Sequence, residues 1–216
     1  MAPNILVLSL SPRGRARDGA PPIALPRPGG AIEPVPATST CLRLADAFIA
    51  GATAAGAACT LKSLHELGRI SPCRACYGCV KTGRCVLRDD MTELYDAFDR
   101  ADAVLFVSPL YYATLPAQGL AVINRLYPYW IDGIRYPRFV CAGVIGACAD
   151  EAQSWELFDA TWRSIFREIG WPEAGIRHAP RFMEHEAEQL AAARAFGMEF
   201  AAHARRAGHS STTEPT

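Results

Sequence analysis

Hydrophobic positions along this chain fall into two kinds of run: short unbroken apolar stretches, and longer stretches with helical spacing. Asn4-Ile-Leu-Val-Leu-Ser9 is apolar throughout and closed by Ser and Pro, which reads as a buried parallel strand feeding a loop. Ala58–Leu64, Ala103–Ser108 and Phe139–Ile145 have the same character, and Gly175–His178 is a weaker fifth. Between them lie the helical patterns. Ser39 or Thr40 is placed to cap a helix with Leu42, Ala45, Phe48, Ile49 and Ala52 on one face, ended by Gly56. Asp90, with Glu93 in capping-box position, opens a short helix carrying Leu94, Tyr95 and Phe98. Pro116 suits the first turn of the next, with Leu120, Ile123 and Leu126 inward. The strongest stripe is Glu151–Ile169, where Trp155, Phe158, Trp162, Ile165, Phe166 and Ile169 share one side, and a last helix spans Glu184–Arg206.

Five strands alternating with helices predict an α/β fold, a parallel sheet covered by helices on both faces. In such sheets ligands bind beyond the carboxyl ends of the strands, where strand order reverses, so function is expected in the loops after Ser9, Ser108 and Ile145. One domain, residues 1–208, accounts for the pattern, with a polar, flexible tail at 209–216. Two segments break the periodicity. Gly14–Thr38 holds six prolines and four glycines and is expected to be a loop or partly disordered; residues 70–90 are rich in cysteine.

Composition narrows the class. Of 216 residues, half are hydrophobic and a fifth charged, and mean hydropathy is +0.05, as in an ordinary globular protein. At this length roughly 70 % of the unfolded chain's surface is buried on folding, so disulfides are not needed. Lys+Arg and Asp+Glu balance at 22 each, which argues against a nucleic-acid or anionic-membrane partner. No apolar run approaches the ~18–20 residues of a membrane helix, and Met1-Ala2-Pro3-Asn4 lacks the basic start of a signal peptide, so a cytoplasmic location is expected.

Eight cysteines are unusual for such a chain, and four of them fall within thirteen residues. Cys73, Cys76, Cys79 and Cys85 form C-x2-C-x2-C-x5-C. Zinc knuckles are usually separated by a dozen or more residues, whereas three cysteines spaced by two resemble a loop wrapped around an iron–sulfur cube. A [4Fe–4S] cluster, zinc, and a metal-free or redox-active thiol segment are the readings open here. Arg74, Lys81 and Arg84 offer positive charge to thiolate ligands, and Gly78 and Gly83 permit tight turns. Cys41, Cys59, Cys141 and Cys148 read as buried small residues. No G-x-G-x-x-G follows the first strand, and neither a P-loop nor a G-x-S-x-G occurs. Ser11-Pro-Arg13 and Ser39-Thr40 suit either simple capping or a phosphate cradle at a helix N-terminus. Tyr111 and Tyr112, at the end of a buried strand, offer an aromatic wall to a flat heterocycle.

Taken in order, Leu8-Ser-Leu-Ser-Pro-Arg13, the cysteine segment 73–85, Asp89-Asp-Met91, Ser108-Pro-Leu-Tyr-Tyr112, Ala117-Gln118 and Asn124-Arg-Leu-Tyr127 resemble the flavodoxin-like NADPH-dependent FMN reductase family, and within it the iron–sulfur flavoprotein branch. The resemblance implies a flavodoxin-like five-stranded parallel sheet with FMN at its carboxyl edge. Ser11, Arg13, Ser39 and Thr40 match the phosphate loop. Pro109, Leu110, Tyr111, Tyr112 and Ala113 match the loop along the isoalloxazine, and Gly146, Ala147 and Cys148 stand in place of a third flavin loop. Two departures touch the phosphate loop: the inserted Gly14–Thr38, and Leu10 where the family usually has Gly. Arg15, Arg17 and Arg27 of the insertion are either solvated or near a nicotinamide phosphate. The implied activity is electron transfer between NAD(P)H or ferredoxin and a small acceptor, with no catalytic acid or base required. A non-enzymatic electron carrier, a cluster-free FMN or quinone reductase, and a flavin-free scaffold are the alternatives. By the same resemblance the chain assembles as a homodimer or homotetramer.

Overall fold

The structure, a computed structural model, describes residues 2–17, 19–26, 29–131, 139–148 and 155–210. In chain order its elements are β1 (Asn4–Ser9), β2 (Ile23–Pro26), β3 (Ile32–Val35), α1 (Thr40–Ala54), β4 (Ala58–Ser63), α2 (Cys79–Thr82), α3 (Met91–Asp99), β5 (Ala103–Pro109), α4 (Ala117–Asn124), α5 (Tyr127–Trp130), β6 (Cys141–Ala147), α6 (Trp155–Ile169), β7 (Glu173–Ala179) and α7 (Glu186–Ser210). The main sheet has the order β4-β1-β5-β6-β7 and is parallel throughout. This is the flavodoxin-like doubly wound order, in which the chain winds outward from β1 first one way and then the other.

Alternation along the central strands divides the core in two. Ile5, Val7, Leu105, Val107 and Ile145 face α1 and α7; Leu6, Leu8, Val104, Phe106 and Val144 face the opposite layer, which includes α3, α4 and α6. The first face is closed by a tight helix pair. Phe48 of α1 meets Phe196 and Phe200 of α7 edge-on, with centroids 5.7 and 5.4 Å apart. The second face is aromatic: Phe106 lies 4.8 Å from Trp162, and Trp171 lies 4.7 Å from Phe139.

Several expectations need correction. Gly14–Thr38 is not simply a loop, since β2 and β3 pair as an antiparallel hairpin, Ile23 opposite Val35 and Pro26 opposite Ile32. Both strands of an isolated hairpin are edges, so the prolines that suggested irregular chain are tolerated there. Gly29 and Gly30 supply the positive φ of the connection, +92° and +84°. In α4, Pro116 is the N-cap rather than a first-turn residue, and Leu120 is exposed. Val122 and Leu126 are buried and Ile123 packs partly buried against the same core, while Gly119 lets the helix close against Leu10. Asp90 precedes α3 without a side-chain cap; its carboxylate instead accepts the Arg69 N–H at 2.6 Å, while Glu93 pairs with Lys62. The fourth strand of the sheet begins at Cys141, two residues later than expected, and α7 runs on through Ser210 into the expected tail. The remainder of that tail, residues 211–216, and the first residues of the Glu151–Ile169 helix lie outside the described residues.

The α1–α7 contact generates a stability prediction. A side chain at Gly51 would overlap the carbonyl of Arg194, and one at Gly197 would overlap the carbonyl of Phe48. Gly51→Ala gains about 1 kcal/mol of helix propensity but loses about 1–3 kcal/mol to overpacking against backbone. Urea denaturation should show a lower midpoint with an unchanged slope for Gly51→Ala, and a further drop for Gly51→Val. A raised midpoint for both would contradict this helix contact.

Candidate functional site

The carboxyl ends of β1, β5 and β6 open onto a cleft of about 190 Å³. Ser11, Arg13, Ser39, Thr40, Pro109, Leu110, Tyr111, Ala147 and Cys148 all line it, so nine of the twelve residues singled out for flavin meet in one place. Three do not. The Tyr111–Thr114 turn is closed by paired backbone hydrogen bonds of 2.9 and 3.1 Å. Within it Tyr112 (φ +53°) and Ala113 (φ +60°) take left-handed backbone, which points Tyr112 into solvent at 98 % exposure. Gly146 faces away, where a side chain would strike Phe158 and Trp155. The cleft also has walls that sequence reasoning missed: Val35 and Pro36 from the hairpin stem, Cys41, and Phe182 with Met183 after β7. The last pair was open to the same carboxyl-edge argument as the other loops.

The geometry at the α1 end suits an anion. Ser39 occupies the N-cap, yet its hydroxyl donates to Ser11 Oγ at 2.9 Å rather than capping the helix. The first-turn N–H groups of this fifteen-residue helix therefore carry no side-chain cap, and no acidic residue sits in that turn. Ser11 Oγ also accepts the Arg13 N–H at 3.1 Å. Arg13 Nη2 donates to the carbonyls of Pro36 and Ala37 at 2.7 and 3.2 Å, while its Nε is buried with no partner. Uncapped amides, hydroxyls and an unpartnered guanidinium N–H are what a phosphate requires. The neighbouring thiol is not a reactive one. Burial pushes the Cys41 pKa up to about 12 against the opposing hydrogen bond from Ser39 and the charge of Arg13, so it remains protonated. Tyr111 is raised in the same sense, chiefly by burial. Arg15 is committed to Asp46 by bonds of 2.6 and 2.5 Å, and Arg27 lies outside the described residues.

The cysteine segment forms a second, smaller site. Cys73, Cys76, Cys79 and Cys85 line one cavity of about 20 Å³ together with Arg74, Tyr77, Asn124, Arg125 and Tyr127. The chain curls there because Ala75 (φ +50°) and Tyr77 (φ +55°) on either side of Cys76 are left-handed, and Gly83 (φ +67°) closes the four-residue α2. The sulfurs share a cavity without converging on a ready metal-binding group among the described residues. Burial, with the neighbouring cysteines adding to it, raises the Cys79 pKa. The donor set, four thiols with no carboxylate or imidazole, suits an iron–sulfur cluster or zinc. Of the other four cysteines, Cys41, Cys141 and Cys148 are buried, and Cys59 is half-buried.

Of the basic residues expected near these thiols, Arg84 is turned onto Asp96 and Asp99, and Lys81 is exposed. The residue that was missed is Arg125, 1 % exposed, which forms two bonds to Asp89 at 2.8 and 3.1 Å and one to the Ser71 carbonyl at 2.8 Å. Burial alone raises the Asp89 carboxyl pKa, but the Arg125 hydrogen bonds and charge and the Ser71 N–H outweigh it, leaving it below the ordinary 3.8. A depressed folded pKa means that this contribution is full above 3.8 and is lost as pH falls through the folded value. Asp89→Asn leaves a buried guanidinium without its counter-charge and should cost about 3–5 kcal/mol at neutral pH. It should also remove part of the acid destabilisation, so the gap from the parent protein narrows below pH 3.8 in urea titrations. An unchanged midpoint at neutral pH would contradict the buried pair.

Comparison with known proteins follows the same lines. Over 61 residues the chain is 43 % identical to an iron–sulfur flavoprotein of Archaeoglobus fulgidus, a stretch covering 28 % of each. Over 56 residues it is 38 % identical to an iron–sulfur flavoprotein of Methanosarcina thermophila, 26 % of this chain and 29 % of that one. The chain thus spans less than a third of the length of these curated relatives. Among solved structures, an NAD(P)H:quinone oxidoreductase from Methanothermobacter marburgensis superposes with a TM-score of 0.65 at 18 % identity, over 93 % of this chain and 96 % of that one. A flavone reductase gives 0.66 at 17 % identity, over 95 % and 64 %. These two likenesses concern the fold. A sequence profile described as NADPH-dependent FMN reductase matches residues 34–171, which take in both β5 and β6 edges of the cleft, the α1 N-terminus and all four clustered cysteines. On that match, across more than half of its length, the chain belongs to the NADPH-dependent FMN reductase family.

Proposed function

We propose that this chain is a flavin-dependent oxidoreductase that binds one FMN in the cleft and a [4Fe–4S] cluster in the cysteine cavity. It passes electrons between NAD(P)H or ferredoxin and a small acceptor. The observation that carries the reading is the meeting of an uncapped α1 N-terminus, Ser11, Ser39 and Arg13 with the Leu110–Tyr111 wall in one cleft at the switch point of the sheet. Bound there, FMN supplies hydride acceptance and stepwise electron return. The chain's own residues bind and orient it. The α1 amides and Thr40 hold the phosphate end, and Arg13 Nε donates to it. Leu110, Tyr111, Ala147 and Cys148 would hold the flat ring, and protonated Cys41 adds no charge to the lining. No side chain is assigned as a catalytic acid or base.

The family resemblance, the relatives named iron–sulfur flavoproteins and the four thiols lining one cavity support the cluster. A second reading, a cluster-free NADPH-dependent FMN or quinone reductase, draws on the sulfurs' failure to converge. Ferredoxin as partner and a homodimer or homotetramer are proposed on the resemblance. A cytoplasmic setting is proposed on the exposed thiols of Cys73 and Cys76, and no described helix is long and apolar enough to cross a membrane.

Two experiments test these readings. Arg13→Ala should raise the Kd for FMN about tenfold to a hundredfold, the loss of one hydrogen bond to a charged group, and leave any bound iron unchanged. Protein that neither carries FMN nor takes it up on reconstitution would overturn the flavin assignment. Anaerobically purified protein should yield about four irons and four acid-labile sulfides per chain, lost in Cys76→Ser with FMN retained. Zinc, or no metal after reconstitution, would leave the cluster-free reductase. NAD(P)H oxidation with a quinone or free flavin identifies an enzyme, whereas reduction by ferredoxin alone identifies a carrier.

A further inference from the structure

Arg125 is held in place more completely than an ion pair requires. Nη1 and Nη2 are both taken by Asp89, Nη1 is shared with the Ser71 carbonyl, and the Arg125 carbonyl accepts the Tyr95 hydroxyl. Asp89 is fixed in turn by the N–H groups of Ser71 at 2.9 Å and Met91 at 3.2 Å. Nε makes none of these bonds: it is buried and has no acceptor. An orphaned N–H on a fully buried guanidinium is costly unless a partner arrives. This side chain lines the same cavity as Cys73, Cys76, Cys79 and Cys85. The other basic lining residue, Arg74, is exposed.

We propose that Arg125 is a positioning residue for the cluster. Its Nε–H donates to a ligand sulfur on the Cys79–Cys85 side of the cavity and thereby raises the cluster's reduction potential. The inference rests on the cluster reading given above. Its physics is simple. Taking up an electron adds one negative charge to the thiolate-ligated group, and a fixed donor aimed at a sulfur stabilises the more negative state. Asp89 already balances the guanidinium charge, so the effect comes from the directed N–H rather than from net charge. A lysine at this position keeps the counter-charge for Asp89 but has no equivalent of the Nε–H.

The test compares the anaerobically reconstituted parent protein with Arg125→Lys, measuring iron and sulfide content, FMN content and the cluster's midpoint potential by EPR-monitored titration. The expected result is full iron content with a potential lowered by a factor of at least ten in the equilibrium constant, about 59 mV for a one-electron couple. In an Arg74→Lys background carrying arginine labelled with ¹⁵N at Nε, pulsed EPR of the reduced protein should show a nitrogen coupling that Arg125→Lys abolishes. A loaded cluster with an unmoved potential and no such coupling overturns the role of Arg125 and leaves the cluster standing. A parent protein without iron and sulfide overturns both. If Arg125→Lys does not fold, the labelled Arg74→Lys protein decides alone: the coupling supports the proposal, and its absence overturns it.

Discussion

The reversal of winding at β1 is the constraint on which the cleft depends. From β1 the chain leaves along α1 to β4 on one side, then crosses back by α3 to β5 on the other. Right-handed crossovers place those helices on opposite faces, so the loops leaving β1 and β5 diverge and cannot cover the sheet between them. Hydrogen bonding keeps the two strands in register up to that edge, with Ser9 beside Val107 and the Leu10 N–H bonded to the Val107 carbonyl. What opens above them is bounded by whatever the loops carry. Here that is Ser11 and Arg13 on one side and Pro109 to Tyr111 on the other.

The cysteine segment depends on a different restraint. Between β4 and α3 the regular structure is one four-residue helix, so the sheet does not hold this stretch. The buried Asp89–Arg125 pair does. It joins Ser71 at one end of the segment, Asp89 at the other, and the α4–α5 junction through Arg125. A buried ion pair of this kind contributes little net stability, since desolvation offsets much of the attraction, but breaking it is expensive. It fixes where a loop sits and leaves the loop's own backbone free to curl.

Much of this was legible in the sequence because a parallel strand buried on both faces leaves an uninterrupted apolar run. Asn4–Ser9 and Ala103–Pro109 were read to within one residue for that reason. Helix facing was less legible where one small residue decides it: Gly119, not Leu120, sets the inner side of α4. The β2–β3 hairpin was hidden by prolines whose penalty applies to central strands and lapses on an isolated pair. In the cleft, residue type located Tyr111 and Tyr112 together, but only the left-handed turn separates one ring at the wall from one in solvent. Arg125 and Asp89 stand inside the motifs of the resemblance but with no role read for either, since a single arginine in an apolar stretch looks like a surface residue until Asp89, thirty-six positions away, is seen beside it.

The inserted segment is attached to the cleft rather than standing off from it, since Val35 and Pro36 line the cleft. Closing a long loop costs little, about 0.6 kcal/mol per doubling, so length alone would explain its survival but not its attachments. Arg13 grips the carbonyls of Pro36 and Ala37, the Ala16 N–H reaches the Thr38 hydroxyl, and the Ser39 N–H bonds to the Gly14 carbonyl. These bonds close the base of the hairpin directly over the α1 N-terminus and bury Val35. With the backbone on both sides of Arg13 so restrained, its guanidinium is oriented before any anion arrives. For the FMN binding proposed above, the ordering cost at Arg13 would then be met in folding.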